Sequence, residues 1–262
     1  MSRGTALVTG ATAGIGREFC HQLAARGYDL VLVARDEARL RELADTLARA
    51  HGIAAEVQAA DLTLDDQVDR LVARIEGAPE LSLLINNAGF GTTGYLADAP
   101  AGQQAAMVRL HVLTPLRLTR AALPGLLARR QGGIVNVSSV ASFVYAAGTV
   151  NYGATKAYLT TFSEGLSAEL RGTGVRVQAL CPGFTRTEFH RRMGPGAGDR
   201  PRLLWMSPQA VVSASLRQLE RGGPVVCIPG IRYRVLLAVL RLVPRRLIGR
   251  LTGLRRPAEG RV

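Results

Sequence analysis

Lysine is almost missing from this sequence. Lysine and arginine together number 33 in 262 residues, and Lys156 alone is a lysine. Aromatics make up 5% of the chain, and the three cysteines, Cys20, Cys181 and Cys227, stand far apart. An odd, scattered trio supplies neither a disulfide framework nor a metal-ligand spacing, and it fits a reducing, cytoplasmic setting. No uninterrupted apolar run reaches the roughly 18 residues of a membrane-spanning helix. The opening MSRGTALVTG runs straight into a strand-like segment with no long apolar stretch, so no signal peptide is expected. Internal repeats and low-complexity linkers are absent too. The formal net charge of +13 raises the question of nucleic acid. Few aromatics and no recognition motif argue against it.

What is there is 47% hydrophobic, with 29 glycines clustered between apolar runs. The length suits one α/β domain better than two. Short β-branched apolar segments alternate with stretches of helical period. Strands are expected at 5–10, 29–34, 53–59, 81–86, 133–139, 175–180 and 224–228. Helices are expected at 15–26, 37–50, 65–77, 101–130, 152–171 and 208–221. The strands read as nearly continuous apolar runs, the mark of burial on both faces. The alternation predicts a doubly wound, mostly parallel seven-stranded sheet with helices on both faces, a Rossmann fold. Chemistry then belongs to the loops at the carboxyl ends of the strands.

Those loops carry the motifs. After the first strand comes TGATAGIG, with Thr9, Gly10, Gly14 and Gly16. Glycines let the chain turn and approach a pyrophosphate, and the helix that follows aims its N-terminal N–H groups at the charge. At the end of the second strand an NAD site wants a carboxylate for the ribose. The register puts Ala34 there, followed by Arg35, with Arg17 in the glycine-rich turn. Two guanidiniums without a carboxylate suit a 2′-phosphate, hence NADP over NAD. Asp36, one position along, keeps the NAD reading open. Asp61 after the third strand fits either an adenine amino group or a helix N-cap near Leu64. NNAG, Asn86 to Gly89, ends the fourth strand, where its amides could brace the sheet and line the cleft.

Tyr152 and Lys156 stand four residues apart, on one face of a helix. Ser139 closes the strand-like GIVNVSS and reaches the same cleft. A tyrosine is a poor acid or base near neutrality, and a neighbouring ammonium is expected to bring its pKa toward working pH. Ser139 would hold a substrate oxygen. An arginine fork is larger and planar, whereas an ammonium is compact with three donors. That difference explains why the one lysine sits here.

TGxxxGxG at 9–16, NNAG at 86–89, Ser139, YxxxK at 152–156 and CPGFTRTEF at 181–189 together resemble the single-domain short-chain dehydrogenase/reductase family. The likeness runs from residue 4 to about 228, so residues 1–230 read as the catalytic domain and 231–262 as a basic extension packed on or beside it. The resemblance implies hydride transfer between a nicotinamide and a carbonyl or alcohol. It implies Tyr152 as acid/base, Ser139 as substrate anchor and Lys156 on the nicotinamide ribose. The cofactor positions it implies are Thr9, Gly10, Thr12, Gly14, Ile15, Gly16, Arg17, Arg35, Asp61, Leu62, Asn87, Ala88, Gly89, Tyr152, Lys156, Pro182, Gly183, Thr185 and Thr187, with NADP as cofactor. It also implies a homodimer or homotetramer built on the 101–130 and 152–171 helices. The sequence further resembles the ketoacyl reductase and hydroxysteroid dehydrogenase branch. One position departs: His111 stands where the family has a catalytic Asn that holds a proton-relaying water. His111 could hold that water through a ring nitrogen, or simply pack. A non-catalytic NADP-binding sensor or scaffold on the same fold is the alternative; an extended epimerase or dehydratase is disfavoured by its usual TGxxGxxG spacing.

Residues 188–206 form a loop with Phe189, Met193, Leu203, Leu204, Trp205 and Met206 beside Arg191, Arg192 and Arg202. It reads as a lid over an apolar carbonyl substrate, or as apolar residues packing the lid shut. Residues 225–262 hold nine arginines against one glutamate. On a helical wheel their arginines fall on opposite sides, a poor interfacial helix. Pro244 should divide it. Packing over the pocket or a partner subunit, peripheral attachment to an anionic membrane, and a solvated basic end all remain open.

Overall fold

The computed structural model describes residues 3–189 and 201–242. Seven strands form one sheet in the order β3-β2-β1-β4-β5-β6-β7, and all pairings are parallel. The strands are β1 (Thr5–Thr9), β2 (Asp29–Ala34), β3 (Ala55–Ala59), β4 (Leu81–Asn86), β5 (Gly132–Val137), β6 (Val175–Leu180) and β7 (Val226–Cys227). The helices are α1 (Gly14–Ala24), α2 (Glu37–His51), α3 (Asp65–Glu76), α4 (Ala101–Val108), α5 (Thr114–Arg129), α6 (Val150–Glu169), α7 (Pro208–Glu220) and α8 (Ile231–Leu242).

Strand side chains point alternately to opposite faces, so each strand feeds two cores. Ala6, Val8, Leu30, Leu32, Leu83 and Ile85 pack with Phe19 and Leu23 of α1, Leu40 and Leu47 of α2 and Val212 and Leu216 of α7. Leu7, Val31, Val33, Leu84 and Ile134 pack on the other face with Leu71 of α3, Leu118 and Leu126 of α5 and Leu166 of α6. Helices on both faces explain the unbroken apolar strands. Strand order reverses between β1 and β4, and the cleft opens there at the carboxyl ends.

Three boundaries differ from expectation in ways that matter. The fifth strand stops at Val137, and Ser139 instead caps a single 3₁₀ turn, Val140–Phe143. The seventh strand keeps only Val226 and Cys227, because just two ladder pairs join it to β6. The expected helix 101–130 is interrupted by a π-helical turn, Arg109–Leu113. Pro115 lacks the N–H that an α-helix would offer the His111 carbonyl, and the ladder widens so that Thr114 N–H reaches the Arg109 carbonyl.

Candidate active site

The glycine-rich turn is built by contacts that exclude side chains. Gly10 and Gly14 have φ of +69° and +53°, the left-handed region that favours glycine. A Cβ on Gly16 would lie 2.2 Å from the Gly10 carbonyl oxygen, so only glycine lets α1 start this close to the turn. A Cβ on Gly14 would come 2.9 Å from Cγ2 of Thr187, which brings the loop after β6 against the turn. Thr12 and Ile15 are half-buried in it. No side chain caps the start of α1, and no acidic residue lies in its first turn. Its N–H groups and positive dipole end therefore face the cleft as an anion cradle.

Asn87 and Thr9 hold the cradle to the sheet. Asn87 Nδ2 donates to the Thr9 carbonyl at 2.8 Å and the Gly10 carbonyl at 3.3 Å. Thr9 Oγ1 accepts from the N–H groups of Asn87 and Ala88 at 2.9 and 3.0 Å. Beneath them Asn86 Nδ2 donates to Asn136 Oδ1 at 2.8 Å, and Asn136 Nδ2 to Ser163 Oγ at 2.9 Å. This buried polar ladder ties β4 and β5 to α6. An asparagine inside the apolar run GIVNV and a serine inside α6 are its signals in the sequence.

At the end of β2, Asp36 Oδ1 accepts from Arg39 N–H at 3.1 Å and caps α2. Its other oxygen lies 3.4 Å from Arg39 Nε. Arg35 projects with 73% of its side chain exposed, 4.0 Å from Asp61 Oδ2. Asp61 does not cap α3. Leu64 holds that position, and Asp61 Oδ1 instead accepts from the Thr63 N–H and hydroxyl at 3.0 and 2.8 Å. Leu62 is buried and its carbonyl accepts from Thr114 Oγ1 at 2.8 Å. Arg17 is exposed on α1. It lines an open groove of about 540 Å³ with Gly14, His21, Arg186, Thr187 and Gln209, on the α7 side of α1.

The catalytic candidates converge on α6. Ser139 Oγ accepts from Ala141 N–H at 3.1 Å and sits close enough to the Tyr152 hydroxyl to lower its pKa. Lys156 is 5% exposed, donates from Nζ to the Val137 carbonyl at 2.8 Å and lies 5.8 Å from the Tyr152 ring centre. Ser138, next to the anchor, donates to the Lys156 carbonyl at 2.7 Å and fixes the strand end to the helix. Burial pushes the Tyr152 hydroxyl up to about 12, with Ser139 opposing. Burial also brings the Lys156 ammonium down to about 8. The expected lowering of Tyr152 is therefore reversed in the protein by itself. Desolvation of the phenolate outweighs an ammonium that is turned toward a strand carbonyl.

His111 is 1% exposed, and both ring nitrogens have protein partners. Nε2 accepts from Phe90 N–H at 3.2 Å, so Nδ1 carries the proton and faces Thr155 Oγ1 at 3.0 Å. Thr155 in turn donates to the Tyr152 carbonyl at 3.0 Å. A water held through a ring nitrogen does not fit this arrangement, because neither nitrogen is open to one. Burial, then the Lys156 charge, holds His111 well below its usual pKa, so it is neutral. Gly89 is required beside it: a Cβ there would lie 2.7 Å from Nε2.

The loop after β6 supplies Cys181 to Phe189. Val140 N–H donates to the Pro182 carbonyl at 3.1 Å, and Thr185, buried, donates to the Gly183 carbonyl at 3.0 Å. Tyr233 of α8 was not anticipated. Its hydroxyl accepts from Phe184 N–H at 2.9 Å and donates to the Leu204 carbonyl at 2.6 Å, so α8 ties the loop after β6 to the segment around Leu204. A Cβ on Gly183 would collide with its ring. Phe189 faces Tyr152 at 5.9 Å between ring centres, and Phe184 packs on Trp205 at 5.7 Å. Met193, Arg191 and Arg192 lie outside the described residues, as does the expected break at Pro244.

With this geometry established, comparison with known proteins decides the family. Residues 4–197 match the short chain dehydrogenase family. The chain belongs to it. An uncharacterized oxidoreductase of Myxococcus xanthus is 39% identical over 230 residues, 87% of this chain and 88% of that protein. A very-long-chain 3-oxoacyl-CoA reductase of Anas platyrhynchos is 32% identical over 216 residues, 80% of this chain and 67% of that one. Among solved structures, a short-chain dehydrogenase from Sphingobium yanoikuyae in complex with NADPH superposes with a TM-score of 0.83. It is 35% identical, over 91% of this chain and 94% of that one. The protein is thus a short-chain dehydrogenase oxidoreductase with a nicotinamide-binding Rossmann fold.

Proposed function

We propose that this short-chain dehydrogenase is an NADP(H)-dependent reductase of an apolar ketone, with Tyr152 as proton donor. The observation that carries the reading is the group at the end of β5 and on α6: Lys156, anchored to the Val137 carbonyl, held 5.8 Å from the centre of the Tyr152 ring, with Ser139 beside the Tyr152 hydroxyl. The cradle fits a dinucleotide, since Gly10, Gly14 and Gly16 leave room that any side chain would fill. Gly14, Ile15 and Gly16 would hold the pyrophosphate, Asp61 and Leu62 the adenine side, and Thr187 and Lys156 the nicotinamide end. Bound there, the cofactor supplies a hydride. The chain does the rest. Ser139 orients the carbonyl oxygen, and Tyr152 gives that oxygen its proton as the carbon is reduced. A phenol with a pKa of about 12 is protonated at working pH, which suits the donor role. Lys156 then stabilises the phenolate that proton donation leaves.

The NADP preference rests on Asp36 and Arg35. The Asp36 carboxylate is committed to capping α2, while Arg35 stands exposed at the strand end with its guanidinium open to a 2′-phosphate. The NADPH in the Sphingobium structure agrees with this. Phe90 beside His111 and Phe189 facing Tyr152 favour an apolar substrate, in line with the acyl chain named for the Anas relative. The deciding experiment is a fluorescence titration with NADPH and, separately, NADH. Tight NADPH binding with NADH weaker by tenfold or more supports the reading, at roughly 1.4 kcal/mol per tenfold. Equal affinities, or a preference for NADH, sink the Arg35 assignment.

A further inference from the structure

Helix α8 buries one side and leaves the other apolar. Tyr233 and Leu237 face inward and are buried. Ile231, Val235, Val239 and Leu242 recur at helical spacing on the opposite side, exposed by 68%, 54%, 55% and 85%. The two arginines near the start of α8 are committed elsewhere. Arg232 donates to the Leu203 carbonyl at 2.9 Å and Arg234 to the Ile228 carbonyl at 2.9 Å. The helical wheel, with arginines on opposite sides, misses this because it takes each arginine to point straight out from its Cα. A contiguous exposed apolar stripe on a chain end with nine arginines and one glutamate is a combination that solvent does not explain.

We propose that α8 is an interfacial helix that lays the stripe of Ile231, Val235, Val239 and Leu242 on an anionic lipid bilayer. Apolar side chains entering the headgroup boundary, with arginines on anionic lipid around them, are the two terms that hold such helices. The helix is about 18 Å long at 1.5 Å per residue, which suits lying flat. Among the described residues no helix is long and apolar enough to cross a membrane. A second copy of this chain is the poorer occupant, because each copy would carry nine arginines against one glutamate in residues 225–262, so the two chain regions repel. The surface is independent of the catalytic reading, since none of the four residues lines the cleft.

The test is co-sedimentation of the full chain with vesicles of phosphatidylcholine alone and of phosphatidylcholine mixed with phosphatidylglycerol. Binding is expected to the mixed vesicles, to fall with added salt, and to be weak on phosphatidylcholine. The double variant V235S/V239S should weaken it by about tenfold or more, from the apolar area removed, and leave NADPH binding unchanged. L242S, at the most exposed position, should weaken it less and gives an independent check. Equal binding to both vesicle types, or unchanged binding by both variants, overturns the proposal. So does a V235S/V239S variant that lowers the protein's mass in solution while sedimenting with vesicles as before, because the face is then a subunit contact.

Discussion

The two ends of the cleft treat charge in opposite ways. At the β2–β3 end, Arg35, Asp36 and Arg39 stand in water, and their pairs are long or local. At the β5–α6 end, Lys156 and His111 are buried, and Lys156 Nζ and both His111 ring nitrogens meet protein partners. Exposed ion pairs contribute little to stability, about 0–1 kcal/mol, so the first end can be altered without disturbing the fold. Buried ionisable groups have displaced pKa values and are coupled to the fold. The proposed determinants of cofactor choice and of chemistry therefore sit on surfaces of very different cost to change.

That contrast can be broken at several points. The largest effect is expected from Tyr152→Phe. Turnover should fall by roughly 10²–10⁴-fold with NADPH affinity nearly unchanged, as kinetics and fluorescence titration would show. Turnover close to wild type would mean that the proton comes from elsewhere. Lys156 comes next. An unfolded lysine keeps its proton to 10.5, and the folded one loses it above about 8, so between those values the unfolded chain binds more protons. Stability should thus rise with pH across that window, by up to about 3 kcal/mol, and Lys156→Met should remove the rise. Urea unfolding at about pH 7.5 and about pH 10.5, roughly the two ends of this window, would show a flat profile if burial of the ammonium carries no cost.

Asn87→Ala unlaces the turn from β4. It should destabilise by about 1–3 kcal/mol, because the Thr9 and Gly10 carbonyls lose their donor, and it should weaken cofactor binding too. Thermal unfolding with and without NADPH separates the two effects. At the far end, Arg35→Ser should weaken NADPH by about tenfold or more, leave NADH alone, and shift stability by less than about 0.5 kcal/mol. A clear loss of stability in that variant would erase the distinction between the two ends.

Much of this was legible because it is local. The glycines at 10, 14 and 16 serve a turn within a few residues, and Tyr152 and Lys156 share a face by helix period alone. Alternation of strands and helices fixed the sheet, whose two cores need only apolar runs. What stayed hidden joins distant positions. Tyr233 holds Phe184 and Leu204 from 49 and 29 residues away. His111 meets Thr155 across 44 residues. The π turn came from Pro115 acting four residues back, which a helix pattern with a tolerated proline near its start does not reveal. The direction of the Tyr152 shift was hidden as well. Spacing shows that an ammonium is near but not how much water the phenol has lost.

The near-absence of lysine has a practical side. Amine-reactive reagents find one ε-amine in this chain, and it lies 5% exposed under the Tyr152 ring. With its pKa near 8 it is partly unprotonated, hence nucleophilic, in mildly alkaline buffer, and access alone limits its reaction. A peptide map after acylation then has one side-chain amine to report, Lys156. The rate of its labelling clocks how often the cleft opens to solvent, with no substrate needed.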